Sequence, residues 1–196
     1  MVQVPPEIRI RLPQSIVSFN ERYAGSVVEG VEQQMRLCIQ SAVAHIQSPG
    51  CGPFWAMIVE RETDRILCGA GNFVVGGKQS WMHGERLAFS LGQTVVNNFV
   101  FPYGRYRLVT TAAMCIACYG ESLTSGIAEI VAAARGEDVE RETPFKEGRL
   151  PQDWQGELKR RGILYRPDVL RDESLVPLRQ YSTSGGISYF NAGPQT

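Results

Sequence analysis

The chain has 196 residues, 43% of them hydrophobic, and its 20 lysines and arginines balance its 20 aspartates and glutamates. This length and apolar content predict one globular domain with a full core and exclude an intrinsically disordered chain. The formal charge of zero argues against a protein that binds duplex DNA or tRNA, because such proteins usually carry a basic surplus.

Cellular location is indicated by two features of the sequence. No charged leader followed by an apolar segment opens the chain, and no apolar run is long enough to cross a membrane. We therefore expect a cytoplasmic protein without membrane contact. The five cysteines have no regular spacing, and in a reducing compartment the pair Cys115 and Cys118 suggests metal binding or redox chemistry.

The first half of the chain predicts a helix followed by a β-hairpin. Residues 1–25 are rich in proline and predict an irregular lead-in or a short helix. From Ser26 onward, apolar residues recur every three or four positions, as on one face of a helix. They are Val27, Val31, Met35, Cys38, Ala42 and Ile46. Two apolar runs, PFWAMIVE and RILCGAGN, flank a polar turn at residues 61–64 and predict the hairpin.

The second half alternates helices and strands. A Gly-rich loop at residues 76–81 precedes a helix whose face carries His83, Leu87, Leu91 and Val95. The run YRLVTTAA predicts a third strand, CIACYGESLTSG a short helix that Gly126 ends, and AEIVAAA a fourth strand. Residues 136–152 are polar and predict a long loop. DWQGELKRRG then predicts a helix, GILYRP a fifth strand and residues 175–181 a final helix.

This order of elements predicts the fold class. Strands that alternate with helices favour a largely parallel sheet covered on both faces, to which the hairpin adds an antiparallel pair. We therefore predict an α/β fold, a three-layer α/β/α sandwich around a five-stranded mixed sheet. The sequence shows neither an internal repeat nor a second domain.

Two short motifs, each at the start of a predicted helix, can carry chemistry. His83-Gly84-Glu85 opens one helix, and the segment from Cys115 to Cys118 opens another. One imidazole and two thiolates are good zinc ligands, and three protein ligands leave a fourth tetrahedral position for water. Zinc lowers the pKa of such a water towards neutrality. Glu85 can reach that water as a proton carrier without being a ligand.

The same residues allow other interpretations. A Cys-x-x-Cys pair also occurs in structural zinc half-sites and in redox proteins, although a structural site usually has four ligands and no second pair is present. A thioredoxin-like pair would follow the first strand and would leave His83 and Glu85 unexplained. His45 is expected near the negative end of a helix dipole. Packing is the expected role of the other cysteines, Cys38, Cys51 and Cys68.

The two motifs together match the H-x-E and C-x-x-C elements of zinc deaminases, and the chain resembles the cytidine deaminase-like superfamily. The resemblance runs from about residue 26 to residue 163. PFWAMIVE is similar to the first hairpin strand of that superfamily, and GAGN, which ends in Asn72, is similar to the second. Gly84 resembles the variant found in fungal cytosine deaminase. The resemblance implies Zn²⁺ bound by His83, Cys115 and Cys118.

A narrower resemblance, to the bacterial guanine deaminases of this superfamily, covers the C-terminal part. Residues 133–163 and the segments VLRDESL and LRQYSTSGGISYFNAG carry it. In that group an F-x-E-G segment closes over the substrate, and its glutamate is a second proton carrier. Phe145-Lys146-Glu147-Gly148 matches the segment, whereas from the residues alone Glu147 would be a solvated loop carboxylate. The implied organisation is a lead-in at 1–25, a deaminase domain at 26–166, and a helix and tail at 167–196 that close over the site.

Three positions depart from the pattern of the superfamily. Met114 replaces the proline before the first cysteine, Ala113 replaces a frequent glutamate, and Trp55 replaces the glycine of P-F-G-A. None of them removes a ligand or Glu85. We expect Met114 to leave the helix N-terminus less rigid and Trp55 to place bulk beside the second strand, near the pocket. The departures therefore bear on which base is accepted.

The resemblance implies a zinc-dependent hydrolytic deaminase that acts on a free base, with guanine as the first choice. Glu85 would carry protons, and Asn72 would hydrogen-bond the substrate. Candidates for stacking on a planar heterocycle are Phe54, Phe145 and Trp81, each of which is also an ordinary core or loop aromatic. Aminotriazines or pterins fit the same chemistry, cytosine or cytidine is the second choice, and adenosine in tRNA is the third.

A protein of another class stays possible at this point. The chain could be a non-catalytic scaffold that keeps the zinc and the fold, although a purely structural site has no use for Glu85. The resemblance also implies that the protein is a homodimer. The molecule it binds would be a small base and not a nucleic acid.

Overall fold

The computed structural model describes residues 4–146 and 148–187 of the chain. The described part contains helices and strands with the following bounds. They are α1 Gln14–Tyr23, α2 Val31–His45, β1 Trp55–Glu60, β2 Ile66–Gly71, α3 Val74–Gly77, α4 Gly84–Val96, β3 Tyr106–Ala112, α5 Ile116–Ser122, β4 Glu129–Ala134, α6 Gly136–Glu142, α7 Trp154–Arg160, β5 Leu164–Arg166 and α8 Arg171–Thr183.

The strands form one mixed sheet in the order β2-β1-β3-β4-β5. The predicted hairpin is confirmed, because β1 and β2 pair antiparallel. β1 is also antiparallel to β3, whereas β3, β4 and β5 are parallel. The five-stranded mixed sheet is therefore confirmed. The expectation of a largely parallel sheet was too strong, because β1 lies inside the sheet and opposes both neighbours.

Helices cover both faces of the sheet, as a three-layer sandwich requires. Helices α1, α2 and α8 pack on one face, and α4 packs on the other beside α5. One thiol hydrogen bond joins the sheet to each helix layer. Cys38 of α2 donates to the Val109 carbonyl of β3, and Cys68 of β2 donates to the Ala88 carbonyl of α4. Every residue of β3 and β4 is buried, as expected for strands covered on both faces.

Alternation along the strands decides which side chains meet which helix layer. Thr110 of β3 contacts Glu85 of α4, and its cross-strand partner is Ala56 of β1. Because successive side chains point to opposite faces, Trp55 lies on the other face. There its indole packs edge-on against Phe19 of α1 and the His45 ring.

Two boundaries differ from the prediction. The apolar stripe was expected to start a helix at residue 26, but α2 begins at Val31, after Gly30 with φ 80°. Val27 instead forms a β-bridge with Arg65 next to the hairpin, and its side chain is exposed. The lead-in does contain a short helix, α1, and Val74–Gly77 forms the additional helix α3.

The prediction of a continuous loop at residues 136–152 was wrong, because α6 occupies its first part. The helix has no long apolar stripe to mark it in the sequence. The Asp138 carboxylate organises it by accepting from the Arg135 N–H at 2.9 Å and from Arg171 Nε of α8 at 2.6 Å. A contact with a distant part of the chain therefore stabilises this helix.

Several arginine side chains surround one carboxylate at the edge of the sheet where β3 and β4 begin. Glu129 is buried, and its side chain lies 3.3 Å from Arg61, 3.3 Å from Arg107 and 2.6 Å from Arg166. Arg107 also pairs with Asp64 at 3.1 Å. These ion pairs join the hairpin, β3, β4 and β5 at one point.

Candidate active site

The candidate site lies at the opposite edge of the sheet, where β2 and β3 end and β1 begins. Because β1 opposes both neighbours, its first residue pairs with Gly71 at the end of β2, and Asn72 follows at this edge. The start of α4 is at the same place, since a Cβ on Gly84 would lie 3.3 Å from the Phe54 carbonyl oxygen. Cys115 is the N-cap of α5, three residues after β3 ends.

The three predicted metal ligands come together here. One donor atom from each of His83, Cys115 and Cys118 lies within 4.8 Å of the others, and all three residues are buried. His83 Nδ1 and Cys115 Sγ are 3.6 Å apart. Tetrahedral zinc with bonds of about 2.0–2.3 Å needs donors roughly 3.5–3.8 Å apart. The donor set therefore fits one zinc ion with only small adjustments.

The two thiols are electrostatically unequal. The neighbouring Cys118 thiol donates to Cys115 Sγ and, together with His83, lowers the pKa of Cys115 to about 4. That interaction and burial raise the pKa of Cys118 well above its usual range. The protein groups alone therefore favour one thiolate, and a divalent cation is the group that would hold both thiols ionised.

Glu85 lies in the first turn of α4 next to the three ligands. Its Oε1 accepts from Thr110 Oγ1 at 3.5 Å. Burial raises the pKa of this carboxyl, the Cys115 charge adds to the rise, and His83 opposes it. A raised pKa means that this carboxyl binds a proton more readily than an exposed glutamate does, which suits a proton carrier.

Asn72 is held at the edge through its backbone. Its N–H donates to the Phe54 carbonyl at 2.9 Å, and its own carbonyl accepts from the Gly52 N–H at 2.8 Å. The side-chain Oδ1 accepts from the Val74 N–H at 3.3 Å. A Cβ on Gly52 would lie 2.9 Å from that oxygen. Asn72 is therefore fixed on both its backbone and its side chain.

His45 contacts a residue of the candidate site, a role that the sequence did not reveal. It was expected near the end of a helix, and it is the last residue of α2. The sequence did not indicate that it is fully buried, with Nδ1 2.8 Å from Ser15 Oγ and Nε2 2.9 Å from the Asn72 carbonyl oxygen. The carbonyl can only accept, so Nε2 carries the proton and Nδ1 accepts from the hydroxyl. Burial lowers the pKa of His45 to about 4.

The predicted stacking residues occupy different environments. The Phe145 ring is fully buried between Phe54, at 5.4 Å, and Tyr181 of α8, at 5.6 Å. Trp81 is half-buried against the main core. Glu147, the predicted second proton carrier, lies outside the described residues.

The departures from the superfamily pattern have structural consequences. Trp55 was expected near the pocket, but it lies on the face of the sheet opposite α4, because its neighbour Ala56 points to the α4 side. Met114 was expected to loosen the start of α5. It is buried, and its sulfur accepts from Ser122 Oγ at 3.2 Å. This contact ties the residue before the first cysteine to the end of α5.

The mixed sheet carries one imidazole, two thiols and a neighbouring glutamate at one edge, where two helices begin. This is the architecture of the zinc deaminases. Comparison with known proteins gives the family. No protein-family model matches the sequence, and no curated protein matches it. Solved structures do match.

Guanine deaminase from Nitrosomonas europaea has 33% sequence identity and a TM-score of 0.84, and the match covers 93% of this chain and 100% of that one. NE0047 in complex with 2,6-diaminopurine has 34% identity and a TM-score of 0.84, with 92% and 95% covered. A tRNA:A34 deaminase, at 16% identity and a TM-score of 0.52, covers 73% of this chain and 96% of its own, and shows the shared fold alone. The chain belongs to the cytidine deaminase-like superfamily, in the group that contains the Nitrosomonas europaea guanine deaminase.

No helix in the described part of the chain is long and apolar enough to cross a membrane.

Proposed function

We propose that this protein is a zinc-dependent hydrolytic deaminase that converts guanine and water to xanthine and ammonia. The observation that carries the proposal is the buried group of His83, Cys115 and Cys118 with the Glu85 carboxyl beside it. The similarity to guanine deaminase from Nitrosomonas europaea supports the substrate. So do the complexes of an NE0047 mutant with 8-azaguanine and of NE0047 with 2,6-diaminopurine.

The three ligands suit zinc better than other common metals. Two thiols and an imidazole are the donors that zinc prefers, whereas magnesium and calcium prefer oxygen. Zinc bound there would supply Lewis acidity, which makes a water molecule a competent nucleophile near neutral pH.

Glu85 would move the protons of the reaction. Water adds to C2 of guanine, so that a C–O bond forms and the bond to the exocyclic nitrogen breaks. The carboxylate takes the proton that water loses and delivers it to a ring nitrogen, and a second transfer protonates the departing amino group. The raised pKa of the buried carboxyl suits this exchange.

Other residues would bind and orient the base. Asn72, fixed on its backbone and side chain, would hydrogen-bond the substrate, and a site with such polar groups discriminates against bases that leave them unpaired. Glu147 is proposed as the second proton carrier on the basis of the F-x-E-G resemblance. We propose that the pocket around the planar base is lined by Phe54, Phe145 and Trp81.

We further propose a cytoplasmic homodimer in which residues 167–196 help to cover the site. The ring contact between Phe145 and Tyr181 of α8 supports this cover, because it ties the segment before Glu147 to the C-terminal helix. All five cysteines are free, buried thiols, which is compatible with a reducing compartment.

An ammonia-release screen tests the proposal. The wild-type protein is assayed with guanine, cytosine, cytidine, adenine and an aminotriazine, and zinc is measured in the same sample. Glu85→Gln should keep the zinc and lose turnover by about 10²–10⁴-fold. Glu121→Gln, at a partly exposed pair with Arg86, is the matched control and should stay close to wild type.

Three outcomes would contradict the proposal in different ways. Release from cytidine but not from guanine would reverse the choice of substrate. No release from any compound with zinc bound would refute the substrate class. Glu85→Gln with unchanged biological function and stability would favour the non-catalytic scaffold.

A further inference from the structure

Two hydrogen-bond donors from other parts of the chain hold the carbonyl group of Asn72. The Gly52 N–H donates to its oxygen at 2.8 Å, and His45 Nε2 lies 2.9 Å from the same atom. A carbonyl oxygen has two lone pairs, and the two donors use both. One donor belongs to the backbone, whereas the other is a side chain at the end of α2, 27 residues away in the sequence. His45 is therefore the donor that a substitution can remove.

The imidazole of His45 occupies a space that a glycine leaves open. A Cβ on Gly71, the last residue of β2, would lie 2.5 Å from His45 Nε2 and 2.7 Å from Trp55 Cε3. Both distances are well inside van der Waals contact. The Trp55 indole packs edge-on against the imidazole, with the ring centroids 5.3 Å apart. His45 therefore contacts the chain at two successive residues, Gly71 and Asn72, and Trp55 holds the ring in place.

A chain of hydrogen bonds fixes which nitrogen of His45 carries the proton. Ser15 Oγ of α1 lies 2.8 Å from Nδ1, and the Cys51 side chain hydrogen-bonds to Ser15. Burial raises the pKa of the Cys51 thiol to about 11, so the thiol keeps its proton and donates to the hydroxyl. The hydroxyl donates in turn to Nδ1, which leaves Nε2 protonated and facing the Asn72 carbonyl. All donors in this chain are neutral and point in the same direction.

The side-chain amide of Asn72 depends on the backbone that His45 holds. Its Oδ1 accepts from the Val74 N–H at 3.3 Å, and a Cβ on Gly52 would lie 2.9 Å from that oxygen. A base that hydrogen-bonds to this amide meets a group whose position is set before binding. Groups that are ordered in advance bind more tightly, because less conformational freedom is lost on binding. Removal of the His45 donor should therefore weaken the binding of a base.

We propose that His45 is a positioning residue for substrate binding, because its Nε2–H fixes the Asn72 backbone and thereby the amide that holds the base. This role deepens the deaminase function proposed above and rests on it. His45 acts through Asn72, from the face of the sheet opposite α4, whereas Glu85 lies on the α4 side next to the metal ligands. Its contribution is therefore to the affinity for the base and not to the chemical step.

Three substitutions of His45 in the zinc-loaded full chain separate the hydrogen bond from the size of the side chain. Glutamine can place an amide N–H near the position of Nε2, asparagine carries the same amide one methylene shorter, and leucine has no donor. The KM for guanine should rise about fivefold in His45→Asn and His45→Leu, as expected for the loss of one neutral hydrogen bond. His45→Gln should stay within about twofold of the wild-type KM. A bond made equally to substrate and transition state affects KM alone, so kcat should change little.

Cys38→Ala is the matched control for a loss of stability. Cys38 is a buried residue of the same helix, and its thiol donates to the Val109 carbonyl of β3. A variant that only destabilises the fold lowers the concentration of active protein, so the apparent kcat falls while KM stays the same. We expect this pattern for Cys38→Ala. Ser15→Ala should raise KM about twofold, because His45 then loses the group that fixes its tautomer.

Several results would overturn the role of His45. They are an unchanged KM in both His45→Asn and His45→Leu, or a rise in KM that is as large in His45→Gln as in His45→Asn. A KM that rises equally in Cys38→Ala would also contradict it. A fall in kcat at unchanged KM would show that His45 acts on stability alone.

Carbonyl ¹³C NMR provides a measurement that does not need turnover. The backbone carbonyl signal of Asn72 should shift in His45→Asn and stay near its wild-type position in His45→Gln. An unmoved signal in His45→Asn would refute the inference even if guanine is deaminated. Absence of guanine turnover would refute the proposed function and, with it, the effect on KM. The Asn72 signal would still decide whether His45 holds this backbone.

Discussion

His45 should make the stability of this protein depend on pH in a window where few other side chains titrate. It is a fully buried imidazole whose nitrogens are both used, one by Ser15 and one by the Asn72 carbonyl. Burial lowers its pKa from the ordinary value of 6.5 to about 4. Between these values the unfolded chain binds a proton that the folded chain does not. Folding is therefore stabilised above pH 6.5, and this contribution is lost as the pH falls towards 4.

The magnitude follows from the two pKa values. With 6.5 for the unfolded state and about 4 for the folded state, the linkage relation lowers the free energy of unfolding by about 2 kcal/mol between pH 8 and pH 5. The imidazole is fully buried, so solvent screening does not reduce this figure.

Urea denaturation of the wild type and of His45→Gln at pH 8 and pH 5 measures the effect. Glutamine can hydrogen-bond at this position but does not titrate. Protonation of carboxylates and metal ligands affects both proteins alike and cancels in the difference between them. The stability advantage of the wild type should shrink by about 2 kcal/mol at pH 5. An advantage that is the same at both pH values would refute the reasoning.

Two further predictions concern packing and ion pairs. Asp138→Asn removes the buried carboxylate that joins α6 to α8, and we expect the free energy of unfolding in urea to fall by about 3 kcal/mol. The control Asp153→Asn, at an exposed ion pair, should lower it by less than about 0.5 kcal/mol. Equal effects of the two substitutions would contradict this prediction. Gly71→Ala places a Cβ 2.4 Å from the His45 ring and should lower Tm by roughly 3–10 °C, whereas Gly120→Ala in α5 meets nothing within 4 Å and should leave Tm unchanged or raise it. Calorimetry that finds the two alanine variants alike would show that the space around Gly71 adapts.

The ligand group was accessible from the sequence because its chemistry is local. His83 and Glu85 are two residues apart, and Cys115 and Cys118 are three apart, each pair at the first turn of a helix that follows a strand or a loop. The spacing therefore predicts which side chains lie together in the first turn of a helix. That the two starts meet at one edge of the sheet follows from the sheet topology, which the alternation of strands and helices predicted in outline.

The features that the sequence did not reveal depend on partners far along the chain. His45 bonds to a carbonyl 27 residues away, and Asp138 bonds to Arg171 at a separation of 33 residues. Nothing near either residue encodes those partners. The orientation of β1 was missed for a related reason, since a hairpin can join a sheet through either of its two strands.

The Glu129 cluster has a consequence for how this protein can change. Its ion pairs lie at one end of the strands and the candidate active site lies at the other, separated by the length of β1, which is about 20 Å for six residues. Substitutions that reshape the pocket therefore leave the charge cluster that joins four strands untouched. New substrate preferences can be acquired at one end of the sheet while the other end keeps the strands in register.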